Sequence, residues 1–489
     1  MDIYQLLDES ERYKLAILRY LELTQDEYMT VSRLEEVMGV SHFKLVNYLD
    51  GLIKDLYQFE DNPRVLIYTD EIIVKNIRLK TIKELQVKYF EESHTIQLLL
   101  YLLEGKGTIE KFSDKHFVSP SKTYARRKEI IAFFKKYTSV KVKKNILIGN
   151  EIELRNILFS LLSEAFNGSY FPFSEENKVQ TNQLVEYLIS LFQLRLTQTQ
   201  NKKLRLFISI AITRINTKNL VEENFFQAEG PILIGLIQLL KKLFPKTSRA
   251  DLCAEISYVL LYLFLEHDIQ SPIIEDIDFS FFAKNKELSN QIAQEIIEQV
   301  EEVYQFNCRD EVKVTYKEKI EKINLGHQYF EFYSSSFSTK KQIQFIYETY
   351  PVYSQIVEKV VLKYSEKFPF NHQNLTIRLF YDYIFLLMNC LPIHEVEKPI
   401  HVCIDFSQGQ SYTEYIIKQI EGFKTLNLVV ERQLTSKTDI FITDYLLDNL
   451  AKKQIIWKNP PTPTDWKYFG DTVVQIKQAS LLVDKEGDL

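Results

Sequence analysis

Nine basic residues, Lys122, Arg126, Arg127, Lys128, Lys135, Lys136, Lys141, Lys143 and Lys144, fall between Ser119 and Lys144, and Glu129 is the one acid among them. Ammonium and guanidinium groups in such a run take up phosphate oxygens, and any that reach a groove edge donate to bases. The whole chain carries a formal net charge of -6 over 489 residues, so contact with nucleic acid has to be local rather than a property of the entire surface. A basic run is otherwise a solvated helix face. A second, smaller group, Ser41, His42, Lys44 and Asn47, with Phe43 beside them near the leading end, offers donors and acceptors of the kind that read base edges, the Asn amide matching adenine.

Both groups sit on segments built to present them. From Thr30 to Leu52 the sequence reads as a short helix, a turn at Gly39 where positive φ is needed, and a second helix for which Ser41 is a natural N-cap. The plan repeats from Thr108 through Phe117, turns at Val118-Ser119-Pro120, and continues into a second helix with Ser119 as cap and Pro120 as first helical residue. In the second helix of a helix-turn-helix, outward residues near the N-terminus enter the major groove. Leu45, Leu49, Leu52 and Leu56 form the inward stripe of the first copy, which turns Lys44 and Asn47 outward; a frame that buries Val46 leaves both largely exposed too. In the second copy Tyr124, Ile130, Ile131 and Phe134 are the inward set. Lys122 and Ala125 then face out, flanked by Ser121, Arg126 and Lys128, and Arg127 falls on the inner side. Ala125 allows close approach or a thymine-methyl contact.

Each copy is followed by a hairpin signal. Arg64–Tyr68 and Glu71–Val74 flank Thr69-Asp70, and Val140–Val142 and Ile146–Ile148 flank Lys143-Lys144-Asn145. These are wings of winged helices, and Lys141, Lys143 and Lys144 are placed to hold phosphates without reading sequence.

From about Asn177 to Leu391 the pattern changes to long amphipathic helices in two halves divided near Phe279 to Glu287, which predicts two helical bundles. Past Pro392 and Pro399, Ile400–Phe406, Leu426–Val430, Asp439–Thr443 and Gln454–Trp457 read as strands, and Tyr412–Gly422 as a helix. That alternation predicts a small α/β domain with a parallel sheet. The expected fold is mainly α with a small α/β domain, divided at 1–76, 77–168, 169–282, 283–394 and 395–489.

Tandem winged helix-turn-helix domains, two bundles and an α/β unit form an order that resembles, along nearly the whole length, the Mga and AtxA family of virulence regulators of Gram-positive bacteria. Gly149–Arg155 resembles the junction leading into the helical part. The resemblance implies that the bundles are phosphotransferase-regulated (PRD-like) domains and that the C-terminal unit is similar to the IIB component of sugar phosphotransferase systems. It also implies a DNA-binding transcription regulator, an activator of virulence or carbohydrate-linked genes, that works as a homodimer and is modulated by phosphotransferase-system proteins.

The chain departs from that pattern where phosphoryl chemistry would sit. Phe207 and Tyr262 stand where the first bundle of the family would carry histidines, and neither supplies an imidazole nucleophile. His267, His327 and His372 remain in the bundles, with His327 and His372 the candidate phosphoacceptors. Cys403 lies inside a strand, while the following loop, Asp405 to Ser411, lacks a thiol.

Four scattered cysteines, Cys253, Cys308, Cys390 and Cys403, give neither a disulfide framework nor a zinc pattern, and no cofactor or metal is expected. Without a signal peptide or a membrane-length apolar run, a cytoplasmic protein is expected. Two rivals are an RNA antiterminator with the same bundles, which would need an N-terminal β domain unlike these helices, and a phosphocarrier, which would need the missing nucleophiles.

Overall fold

A computed structural model describes residues 1–24, 28–143, 146–225, 231–267, 283–330, 340–368, 375–391, 398–423, 426–448, 450 and 452–486. They fall into two compact units, 1–281 with 329–334, and 282–328 with 335–489. Among the described residues no helix is long and apolar enough to cross a membrane.

In the first unit, α1 (Glu9–Leu23) precedes strand β1 (Met29–Thr30), α2 (Val31–Met38) and α3 (His42–Leu56). The Thr30 side chain caps α2 by accepting from the Arg33 N–H at 3.1 Å, and Gly39 ends it at φ +62°, a conformation only glycine takes without strain. Ser41 occupies the cap position of α3, yet its hydroxyl makes no capping bond. Leu45, Leu49, Leu52 and Leu56 are buried as the helical period requires, and Val46 points out, so the frame that would bury it does not occur. Strands β2 (Arg64–Tyr68) and β3 (Glu71–Lys75) form the expected hairpin, with Ile67 opposite Ile72. β1 adds to it antiparallel, giving the order β1-β3-β2.

The second copy comprises α4 (Leu79–Glu92), α5 (His94–Leu103), α6 (Ile109–His116), α7 (Pro120–Tyr137), the hairpin β4 (Lys141–Lys143) and β5 (Ile146–Ile148), and α8 (Glu151–Phe166). Thr108 caps α6, and Ser119 caps α7 by accepting from the Lys122 N–H at 3.3 Å.

Helices α9 (Glu175–Phe192), α10 (Gln198–Asn216), α11 (Pro231–Leu243) and α12 (Arg249–Glu266) follow. A buried double ion pair ties them to the second hairpin. Arg155 on α8 reaches both oxygens of Glu255 on α12 at 2.7 and 2.8 Å, and Glu151 accepts from Arg155 at 2.9 Å and from Arg214 on α10 at 2.8 and 2.9 Å. Arg214 also donates to the Leu147 carbonyl of β5 at 3.1 Å. Such charges stay buried because each has its partner and its hydrogen bonds.

The second unit contains α13 (Ala283–Tyr304), α14 (Asp310–Tyr329), α15 (Lys340–Thr349), α16 (Pro351–Tyr364) and α17 (Leu375–Cys390). Its core is filled by Ile292, Ile296, Tyr316, Tyr353, Val357, Leu379 and Tyr383 among others. A parallel sheet follows, ordered β7-β6-β8-β9, from β6 (Ile400–Asp405), β7 (Leu428–Glu431), β8 (Ile440–Thr443) and β9 (Lys453–Ile456). Helix α18 (Gln410–Glu421) connects β6 to β7, and α19 (Pro463–Glu486) closes the chain. This is the α/β unit expected, with α19 added.

Candidate nucleic-acid interface

On α3 the residues Ser41, His42, Phe43, Lys44, Val46 and Asn47 are all exposed, Phe43 at 76 %. Two of them already face acids. Lys44 Nζ lies 2.7 Å from Glu9 Oε1, and the Tyr48 hydroxyl donates to the same oxygen at 3.0 Å. The bond from Lys44, then that from Tyr48, holds the Glu9 carboxyl below its ordinary range, while Glu9 raises Lys44. His42 Nδ1 sits 3.2 Å from Glu35 Oε2. The first hairpin is drawn back onto α2: the Val31 N–H donates to the Asp70 carbonyl at 2.7 Å, and the Ser32 N–H and hydroxyl donate to the Asp70 carboxylate at 3.2 Å. Its tip carries Asp70 and Glu71, a poor surface for phosphate.

Helix α7 differs from its expected frame in two respects. Tyr124 is not inward but 46 % exposed, with its hydroxyl donating to Glu110 at 2.8 Å. Thr123 takes the inner place, accepting from the buried Ser113 hydroxyl at 2.8 Å. A small side chain lets α6 and α7 approach where a tyrosine ring would not fit. The inner stripe is therefore Thr123, Ile130, Phe133 and Phe134, with Ile131 half-buried.

The second departure is Arg126, one turn from both Thr123 and Ile130 and so on the inner side. Its guanidinium pairs with Asp8 and with both oxygens of Glu129, the latter at 3.0 and 3.1 Å, and its side chain is only 15 % exposed. Arg126 is therefore withdrawn from the outward face on which the sequence put it. Arg127 is half-buried.

What remains outward is Ser121, Lys122, Tyr124, Ala125 and Lys128 on α7, and Lys141 and Lys143 on the second hairpin. Lys122, Lys128, Lys141 and Lys143 form no ion pair among the described residues, so their charge is available to a ligand. Lys144 lies outside the described residues. Between α6 and α7, Phe117 occupies the turn position that Gly39 holds in the first copy, at φ +54° and 97 % exposed. Sequence reading gave Phe117 no role, although a solvent-facing phenylalanine in a basic turn is a signal that composition alone could have raised.

Where the sequence leads us to expect family histidines, the side chains pack. Phe207 and Tyr262 come together in the core with ring centroids 3.9 Å apart and planes 13° from parallel, against Phe159, Tyr258 and Phe330. His267 is buried at the end of α12. His327 is buried on α14, with Nε2 2.7 Å from Asp382 Oδ2 on α17; His372 lies outside the described residues. Burial, with repulsion from Glu431 and Asp405, pushes the Cys403 thiol up to about 11, which keeps it protonated at neutral pH. In the loop after β6, the Ser407 N–H and hydroxyl both donate to Asp444, at 2.8 and 2.5 Å, so a carboxylate of the chain itself takes the loop's donors.

Two helices across a tight turn followed by a hairpin, with an unpaired basic face on the second helix and its wing, define a winged helix-turn-helix protein of the DNA-binding class. Residues 79–162, from the first residue of α4 into α8, match the family model for the Mga helix-turn-helix domain. The matched segment is a helix-turn-helix domain of the Mga type, the kind carried by DNA-binding transcription regulators. No curated protein matches the chain.

Proposed function

We propose that this regulator grips double-stranded DNA with both winged helices, and that the second supplies most of the electrostatic attraction. The observation that carries this reading is the unpaired basic face formed by Lys122 and Lys128 with Lys141 and Lys143 of the wing. Lys144 extends that wing in the sequence. Ser121 and Ala125 on α7, with Ser41 and Asn47 on α3, are the proposed base-edge contacts; Lys44 and His42 contribute less because Glu9 and Glu35 already face them.

The finer reading follows the family resemblance. The protein works in the cytoplasm as a homodimeric activator of virulence or carbohydrate-linked genes, the helical segments act as PRD-like bundles, and the C-terminal unit pairs subunits as an IIB-like domain. The domain limits 1–76, 77–168, 169–282, 283–394 and 395–489 belong to the same proposal. Phosphotransferase-system proteins modulate it through the second bundle, where His327 and His372 are the candidate phosphoacceptors. His327 requires a local opening to react, since Asp382 covers its Nε2.

Gel shifts test the interface. Lys122→Ala with Lys128→Ala is expected to weaken duplex binding well beyond Lys44→Ala with Asn47→Ala, and undiminished binding in both pairs would remove the interface. Incubation with the general phosphocarrier and a labelled donor tests the second part, and label that persists in His327→Ala with His372→Ala would reject those acceptors.

A further inference from the structure

The two recognition helices are bolted to one scaffold. At the end of α3, Asp55 accepts from Lys14 of α1 at 3.0 Å, from the Tyr89 hydroxyl of α4 at 2.6 Å and from Lys88 of α4 at 3.4 Å. At the start of α7, Arg126 pairs with Asp8, immediately before α1, and with Glu129, which also accepts from the Thr95 hydroxyl of α5 at 3.1 Å. The segment before α1 is itself stitched to the second copy. The Asp2 N–H donates to the Tyr137 hydroxyl of α7 at 3.0 Å, the Ser93 hydroxyl donates to the Leu6 carbonyl at 2.9 Å, and the Tyr4 hydroxyl and Arg19 both donate to the Gln86 amide oxygen of α4 at 3.0 and 2.9 Å. Ile3 and Leu6 are buried in the same joint. Two DNA-reading modules on a loose tether would show none of these cross-links.

We infer that α3 and α7 form a single rigid reader that requires two contacted segments at one fixed spacing on the duplex, and that Arg126, with Asp8, is a positioning residue that sets this spacing rather than a DNA contact. The inference rests on the duplex reading proposed above and specifies how its two heads are used. An ion pair with one partner on each module, its guanidinium 15 % exposed and held also by Glu129 while the Asp8 carboxylate is 46 % exposed, resists the sliding that a change of spacing demands.

The test uses the full chain on its preferred duplex, selected from a random pool, with cleavage footprints to locate the two protected segments within each half-site. Insertions of about 5 and about 10 base pairs, roughly a half and a whole helical turn, are then placed between them. A rigid reader loses one protected segment with either insertion, because a whole turn restores phase but not distance. Arg126→Ala and the milder Asp8→Asn are expected to bind the lengthened sites better relative to the original site, with the salt dependence of binding unchanged. Asp8 makes no capping bond to α1, so Asp8→Asn leaves that helix start intact. Two footprints that both survive the whole-turn insertion in the parent protein would overturn the rigid reader. Arg126→Ala that lowers the salt slope by roughly 0.9, as loss of a phosphate contact does, with no change in spacing preference, would overturn the positioning role. Both results leave the duplex reading standing. Absence of attachment to any duplex would overturn that reading and the inference with it.

Discussion

The first winged helix and the second share a plan and differ in where their charge goes. On α3, Lys44 and His42 are exposed but lean on Glu9 and Glu35, and the first hairpin is pulled back onto α2 through Asp70. On α7, Lys122 and Lys128 stand free among the described residues, and the second hairpin presents Lys141 and Lys143 outward. A carboxylate at hydrogen-bond distance must be displaced before a lysine takes a phosphate, so the same residue type contributes unequally in the two places. A helix-turn-helix motif locates an interface, whereas the second partner of each charge decides its strength.

The largest expected effect that sharpens this contrast is loss of affinity on removing the free lysines. Lys122→Ala with Lys128→Ala should weaken duplex binding by on the order of tenfold for each phosphate contact removed near 0.1 M salt, measured by fluorescence anisotropy. Lys44→Ala should cost much less, and an equal loss would break the comparison.

The turns offer the next test. Gly39 and Phe117 both adopt the left-handed conformation, at φ +62° and +54°. A Cβ at Gly39 meets nothing within 4 Å, so Gly39→Ala pays the backbone term alone, about 1 kcal/mol, read as a lowered denaturation midpoint. Phe117→Asn should be tolerated without loss of stability, since Asn accepts that conformation better than Phe. Any fall in duplex affinity then reports the exposed ring itself.

Asp55, at the joint of α1, α3 and α4, makes stability depend on pH. Burial opposes its charge, but hydrogen bonds from Tyr89 and Lys14 outweigh that and hold the carboxyl below its ordinary range. With the folded value below the unfolded one, its contribution is complete above the unfolded value of roughly 3.9 and disappears as pH falls through the folded value. Thermal melts should therefore find Asp55→Asn less stable than the parent near neutrality, with the gap closing in acid. A gap that is constant down to about pH 2 would contradict this.

The smallest effect concerns the helix caps. Ser119 makes its capping bond and Ser41 does not, so Ser119→Ala should cost about 1 kcal/mol and Ser41→Ala less.

The order of elements was legible in the sequence because hydrophobic period and turn chemistry are local. Leu45, Leu49, Leu52 and Leu56 declare one face of α3, and the strands near Ile400, Ile440 and Ile455 declare a buried sheet. What escaped depended on partners distant in the chain. Arg126 looks like any basic residue of a recognition helix until Asp8 is seen beside it. Thr123 displaces Tyr124 from the interior because Ser113 awaits its hydroxyl. The stacking of Phe207 on Tyr262 likewise joins two helices that only the fold brings together.

Salt titration of duplex binding by the full chain tests the central claim most directly, with the parent, Lys122→Ala and Lys44→Ala measured side by side. Lys122→Ala is expected to lower the slope of log affinity against log salt by roughly 0.9, and Lys44→Ala to leave it nearly unchanged. A slope insensitive to Lys122, or lowered equally by both substitutions, would contradict it.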